Sequence, residues 1–126
     1  MEAAEFQRWL DRYFEAWRSN DPEQVASLFA DDARYFVNPY RPPREGREAI
    51  VQAWVDGGVQ RELRIEYEPL AVSGERGLAH WAVSFAEDGS RREFDGILQL
   101  DFDAEGRCLV HREWYATRLA DERDGS

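Results

Sequence analysis

The chain has 126 residues, enough for one hydrophobic core and too few for two, and its 43% apolar and 13% aromatic content excludes extended disorder while leaving large side chains over for a cavity wall. Its formal net charge of −10 is spread through every segment, and no basic stripe is present to displace counterions from phosphates, which argues against nucleic acid as a partner. No apolar run nears the roughly 20 residues needed to cross a membrane, no signal-peptide pattern opens the chain, and the one cysteine, Cys108, has no intrachain disulfide partner, so a cytoplasmic protein is expected.

Phe6, Trp9, Leu10, Tyr13, Phe14 and Trp17 recur at three- and four-residue spacing against Glu5, Arg8, Asp11, Arg12 and Glu15, which predicts an amphipathic helix. Asn20-Asp21-Pro22 ends it and starts a short second helix: Asp21 suits the cap, Pro22 the first turn, and Gln24 a capping box. Ala33 to Val37 reads as a strand, and the three prolines of the segment 38–46 make it a loop. Helical spacing resumes at Ala49, Ile50, Ala53 and Trp54 and stops at Gly57-Gly58.

From there the pattern is extended. Leu63, Ile65 and Tyr67 alternate, Pro69 interrupts, and Gly74 to Gly77 turns. Leu78–Phe85 and Arg92–Phe102 flank Asp88-Gly89, a hairpin signal, and Asp103 to Gly106 leads into a last strand from Cys108 to Leu119. Helices followed by a meander imply an α+β fold, with one domain over residues 1–119 and a polar tail over 120–126. The arginines Arg41, Arg44, Arg91 and Arg92 are flanked by acids and read as solvated faces; Cys108 reads as a packed thiol.

Leu28-Phe29-Ala30-Asp31-Asp32-Ala33, Gly46-Arg47-Glu48-Ala49-Ile50, Asp95-Gly96-Ile97-Leu98, Phe102 to Arg107 and Arg112-Glu113-Trp114-Tyr115 together resemble the nuclear transport factor 2-like superfamily, in particular its SnoaL-like branch, over about residues 5–118. The resemblance implies a cone-shaped roll: a curved antiparallel sheet, covered by three N-terminal helices, encloses a pocket for a small apolar or cyclic molecule. It also implies a homodimer through the convex sheet face. The scaffold hosts isomerases, cyclases, dehydratases, hydrolases and non-catalytic binders, so fold alone does not choose among them.

Alternation places Ala79, Trp81, Val83 and Phe85 on one face of their strand, with His80 and Ser84 opposite, and Phe94, Gly96, Leu98, Leu100 and Phe102 inward on the next, with Asp95 outward. The last strand is ambiguous, because Val110, Trp114 and Ala116 oppose Leu109, His111, Glu113 and Tyr115 and either row can be buried. Similarity to limonene-epoxide-hydrolase-like and SnoaL-like members favours Glu113 as the acid/base group, with His111 sharing its proton and Tyr13, placed like the oxyanion donor of ketosteroid isomerases, as hydrogen-bond donor. The opposing reading is a rim glutamate paired with Arg112 or Arg118, with His111 and Tyr13 as packed groups.

Val37 or Asn38, and Leu98, stand where ketosteroid isomerases carry carboxylates, and Leu78-Ala79-His80-Trp81 lacks the Arg and Asp of the epoxide-hydrolase relay, so neither mechanism transfers whole. Trp17, Asn38, Trp54, Trp81, Phe94, Leu98 and Tyr115 are the expected substrate contacts. The two histidines have no ligand-spaced partners and no phosphate-binding glycine loop exists, so neither metal nor cofactor is expected. The function expected is cofactor-independent acid/base catalysis; the alternatives are a non-catalytic binding or accessory domain and an interaction module using the convex face.

Overall fold

The structure is a computed structural model and describes residues 1–121. In chain order the elements are α1 (Ala3–Ser19), α2 (Pro22–Ala26), β1 (Phe29–Phe36), β2 (Arg44–Glu45), α3 (Arg47–Gly57), β3 (Arg64–Ser73), β4 (Arg76–Glu87), β5 (Ser90–Phe102) and β6 (Cys108–Asp121). β6 includes Ala120 and Asp121, paired with Arg91 and Ser90 of β5, the first two residues of the segment expected as a polar tail; residues 122–126 of that segment lie outside the described residues.

Local chemistry sets the boundaries. Asn20 takes the left-handed conformation at the end of α1, with φ 55°, and its amide returns to the Ala16 carbonyl. Asp21 then caps α2, accepting from the Glu23 amide at 2.9 Å. The expected capping box is not formed, because the Gln24 carboxamide accepts from the Ser19 hydroxyl instead. Asp88 and Gly89 both have positive φ, 49° and 79°, the backbone of a two-residue hairpin turn that matches strand twist.

The sheet order is β2-β1-β6-β5-β4-β3. Neighbours are antiparallel except β1 and β6, which run parallel, so the sheet is mixed rather than wholly antiparallel. β1 also starts at Phe29, earlier than the alternation predicts, and a register shift between Phe29 and Arg34 absorbs the extra residues. Pro69 is tolerated within β3 because that strand is at the sheet edge, next to a second register shift.

Helix α1 lies on the concave face, and two glycines let elements approach. A Cβ at Gly77 would stand 2.4 Å from the Phe6 ring, so Phe6 sits directly on the β4 backbone and meets Phe102 edge-on at 5.9 Å. Gly96 likewise has no room, since a Cβ there would lie 2.3 Å from the Trp114 carbonyl oxygen. The resulting core joins Phe6, Trp9, Leu10, Tyr13 and Phe14 of α1 to Ala79, Trp81, Leu98, Leu100 and Phe102 of the sheet. No described helix is long and apolar enough to cross a membrane.

Candidate functional site

The pairing registers settle which face of β6 turns inward. Leu100 pairs with His111, Leu98 with Glu113 and Gly96 with Tyr115, so His111, Glu113 and Tyr115 share the concave face with the apolar row of β5. Trp114 is on the outer face and 44% exposed. Continuing across the sheet, the row of Glu113 is Leu98, Ala79 and Pro69, flanked by the rows Tyr35-His111-Leu100-Gly77 and Tyr115-Gly96-Trp81-Tyr67. None of these rows holds a second carboxylate, and their one guanidinium is that of Arg44 on β2, the exposed neighbour of Tyr35 at the sheet edge.

Glu113 is half-buried and has no hydrogen-bond or ion-pair partner among the described residues. Arg118 pairs with Glu93, and the Arg112 guanidinium stacks over the Phe36 ring at 4.4 Å, so the rim salt bridge considered from sequence is not made. Desolvation by its surroundings disfavours the carboxylate and pushes the carboxyl up to about 8. At neutral pH the group is mostly a neutral acid, able to give a proton and then take one back.

His111 does not share that proton. It is fully buried, and its Nε2 lies 2.9 Å from the Tyr13 hydroxyl, while Tyr35 stacks on the imidazole at 3.8 Å. Nδ1 lies towards the carbonyls of His111 and Phe36 without reaching hydrogen-bond geometry to either. Burial pulls the imidazole down to about 3, so it is neutral. Assigning the proton to Nδ1, which faces those carbonyls, makes Nε2 the acceptor and gives one donor direction throughout. Tyr35 donates to Tyr13 over a long 3.4 Å, and Tyr13 to His111.

This chain joins β1, α1 and β6, and Trp54 of α3 packs edge-on against Tyr13 at 5.2 Å. The Tyr13 hydroxyl is committed to it and is 1% exposed, so it is not open to a ligand as a free oxyanion donor would be. Replacing Tyr13 with Phe should cost about 1–3 kcal/mol, because the buried Nε2 of His111 loses its donor. Chemical denaturation checks this, and a loss within error would show that the bond contributes nothing.

Around Glu113 the aromatic groups form a circuit. Trp54 meets Trp17 at 6.2 Å, Trp17 meets Trp81 at 5.9 Å, Trp81 meets Tyr115 at 6.1 Å, and Tyr35, which shares a cavity wall with Trp54 and Trp17, stacks on His111. The Trp17 indole is fixed by donation to Gln60 at 3.1 Å, whereas the buried Trp81 indole N–H has no acceptor among the described residues. Phe94 stacks near Trp81 at 6.3 Å, and Leu98, the cross-strand partner of Glu113, is buried. Asn38 is placed differently: its side-chain oxygen accepts from the Tyr40 amide at 2.8 Å and closes a local turn.

The open space within the cone is small. A cavity of about 160 Å³ at the mouth is lined by Trp17, Asn20, Tyr35, Ala53, Trp54 and Gln60, together with Gly57 and Gly58. Glu113 is not one of its lining residues, although its charge raises the proton affinity of the Tyr35 hydroxyl that is. Tyr35 was not singled out from sequence; its alternation with Ala33 and Val37 is the signal that places it inward. A larger hollow, about 550 Å³, lies over the outer sheet face among Arg64, Glu66, Ala82, Ser84, Asp95 and Arg118, away from the aromatic circuit. Cys108 is buried with its thiol pushed up by desolvation, and so is not a nucleophile. Among the described residues no cluster of His, Cys, Asp and Glu could hold a metal ion.

Comparison with known proteins agrees with this architecture. The sequence model of the SnoaL-like domain family matches residues 10–111. Among solved structures, an LEH-like epoxide hydrolase of M. tuberculosis superposes with a TM-score of 0.71 at 16% identity, over 90% of this chain and 84% of that one. The Rv0760c protein of Mycobacterium tuberculosis superposes at 0.78 with 15% identity, over 95% of this chain and 99% of that one. No curated protein matches the sequence.

Proposed function

Because the chain belongs to the SnoaL-like domain family of the nuclear transport factor 2-like superfamily, we propose that it is a cofactor-independent enzyme that uses Glu113 as general acid/base on a small apolar or cyclic molecule. The observation that carries this reading is the carboxyl of Glu113, turned inward, desolvated, and free of any cation that would hold it ionised. A structural acid in such a place would be expected to have a partner, since leaving it unpaired costs stability. His111 and Tyr13 act as positioning residues: their bond fixes the wall beside Glu113 and keeps it free of charge.

The epoxide hydrolase among the structural neighbours supports proton transfer to an oxygen as one form of the chemistry. The acid-arginine-acid relay that the resemblance calls for is not present in the rows around Glu113, so a single carboxyl must serve as both acid and base. Against a panel of small epoxides, cyclic enones and hydroxyketones, Glu113→Gln should lower turnover by about 10²–10⁴ while leaving the folded structure intact at pH 6. Unchanged turnover in the variant would overturn the proposal. The second reading is a non-catalytic binding domain, favoured by the cavity at the mouth excluding Glu113.

We further propose that the outer sheet face pairs two copies, as Trp114 at 44% and Ile97 at 36% exposure form the sheet row beside the hollow floored by Ala82 and Ala116. Sedimentation should show a dimer that Trp114→Glu dissociates; a monomer in the parent protein would exclude it.

A further inference from the structure

We propose that the aromatic circuit around Glu113 is a receptor for a small organic ammonium ion, so that the ligand or substrate of this site carries a protonated or quaternary amine. The inference shares with the preceding reading the inward Glu113, but it concerns the ligand's charge and not the reaction.

Three features of the circuit select a cation. First, Tyr35, Trp54 and Trp17 line one cavity, with Trp81 packed behind Trp17, and the faces of such rings carry the negative part of their quadrupole. Second, Glu113 adds a carboxyl with no cationic partner among the described residues, leaving its counter-charge to be supplied by the ligand. Third, no cationic side chain lines the mouth cavity. Arg44, the β2 partner of Tyr35, is exposed at the sheet edge and is not among the lining residues, and His111 is neutral.

The other ligand charges fit less well. An anion would meet negative ring faces and no countercharge. A purely apolar ligand would leave the desolvated acid behind Tyr35 without a counter-charge. The formal net charge of −10 also draws small cations to the protein. Size sets a further limit: the mouth cavity of about 160 Å³ has the volume of roughly five waters, so the ammonium group must be compact. Within that cavity it lies against Trp17, Trp54 and Tyr35, three members of the circuit.

Binding is coupled to the proton on Glu113. The titratable groups facing this carboxyl are Tyr13 from α1, Tyr35 from β1, and His111 and Tyr115 from β6; β2 adds the exposed Arg44 beside Tyr35, and the side chain presented by α3 is Trp54. Burial holds Tyr13 and Tyr35 neutral to high pH and His111 neutral down to about 3. A bound cation favours the carboxylate, so below about pH 8 binding releases a proton, and affinity rises with pH up to that value.

Choline, which is permanently charged, and 3,3-dimethylbutan-1-ol, its neutral isostere, are the probes. Each is titrated into the full chain at pH 6 and pH 8.5, with tryptophan fluorescence and calorimetry as readouts. Choline is expected to bind at least tenfold more tightly than the isostere at pH 8.5, with the preference shrinking at pH 6. Glu113→Gln should abolish the pH dependence, and Trp17→Leu, at a half-buried position, should weaken choline more than the isostere. Equal or tighter binding of the isostere, or no choline binding at either pH, overturns the ammonium proposal. Such a failure alongside lost turnover in Glu113→Gln would still leave the acid/base reading standing. Choline binding with turnover unchanged in that variant would sink the acid/base reading and keep the receptor.

Discussion

Replacing Glu113 with Gln should stabilise the fold at pH 9 and leave its stability nearly unchanged at pH 4. The carboxyl rises from an ordinary 4.5 to about 8 on folding, so between these values the folded state holds more protons than the unfolded state. Stability therefore falls as pH rises through this window, and the full penalty is present above about 8. A shift of this size corresponds to at most about 5 kcal/mol, and the partial solvent access of Glu113 reduces it to a few kcal/mol. Gln keeps the shape and never ionises. Urea denaturation of both proteins at pH 4, 6 and 9 reads the difference directly, and parallel curves at all three values would mean the carboxyl is solvated.

His111 contributes the opposite limb. Its folded value near 3 lies below the ordinary 6.5, so the unfolded state takes up the proton first and stability is lost as pH falls from 6.5 towards 3. Between about 4.5 and 6.5 the two groups oppose each other, which places a plateau of stability on the acid side of neutrality.

Phe6→Ala should cost about 3–5 kcal/mol, enough to leave a domain of this size marginal or unfolded. Phe6 is fully buried, and its ring fills the space that Gly77 leaves above β4 while its edge meets Phe102. Neither neighbour can close the hole, because Gly77 has no side chain to move and Phe102 is held against Trp9 at 5.2 Å. A loss under about 1 kcal/mol in chemical denaturation would show that α1 is not docked through this ring.

The parts of this molecule that local chemistry determines were legible in its sequence. The Phe6-to-Trp17 stripe, the Asn20-Asp21-Pro22 boundary and the Asp88-Gly89 turn each have a short-range cause, and each appears where expected. The faces of β4 and β5 were legible because only one row on each is coherently apolar. β6 was not, since Trp114 and Ala116 make its outer row apolar too, and the exposed Ile97 beside them shows that the outer face carries apolar surface of its own.

Other features depend on chain segments far apart in sequence. The parallel pairing of β1 with β6 joins Tyr35 to His111, and only that pairing brings Tyr13, Tyr35 and His111 into one hydrogen-bonded chain. Sequence spacing on β6 put His111 on the same face as Glu113 but could not show that Tyr13 had already taken its Nε2. The same holds for Asn38, whose carboxamide is used by its own loop.

The central claim is that the interior of the cone holds one desolvated, unpaired acid. Carbon-detected NMR titration of the Glu113 carboxyl, assigned by comparison with Glu113→Gln, measures it without any substrate. A midpoint near pH 8 is the expected result. A midpoint near the ordinary value of about 4.5 would contradict the account, because a carboxyl that ionises as freely as one in water has no special place in the cone.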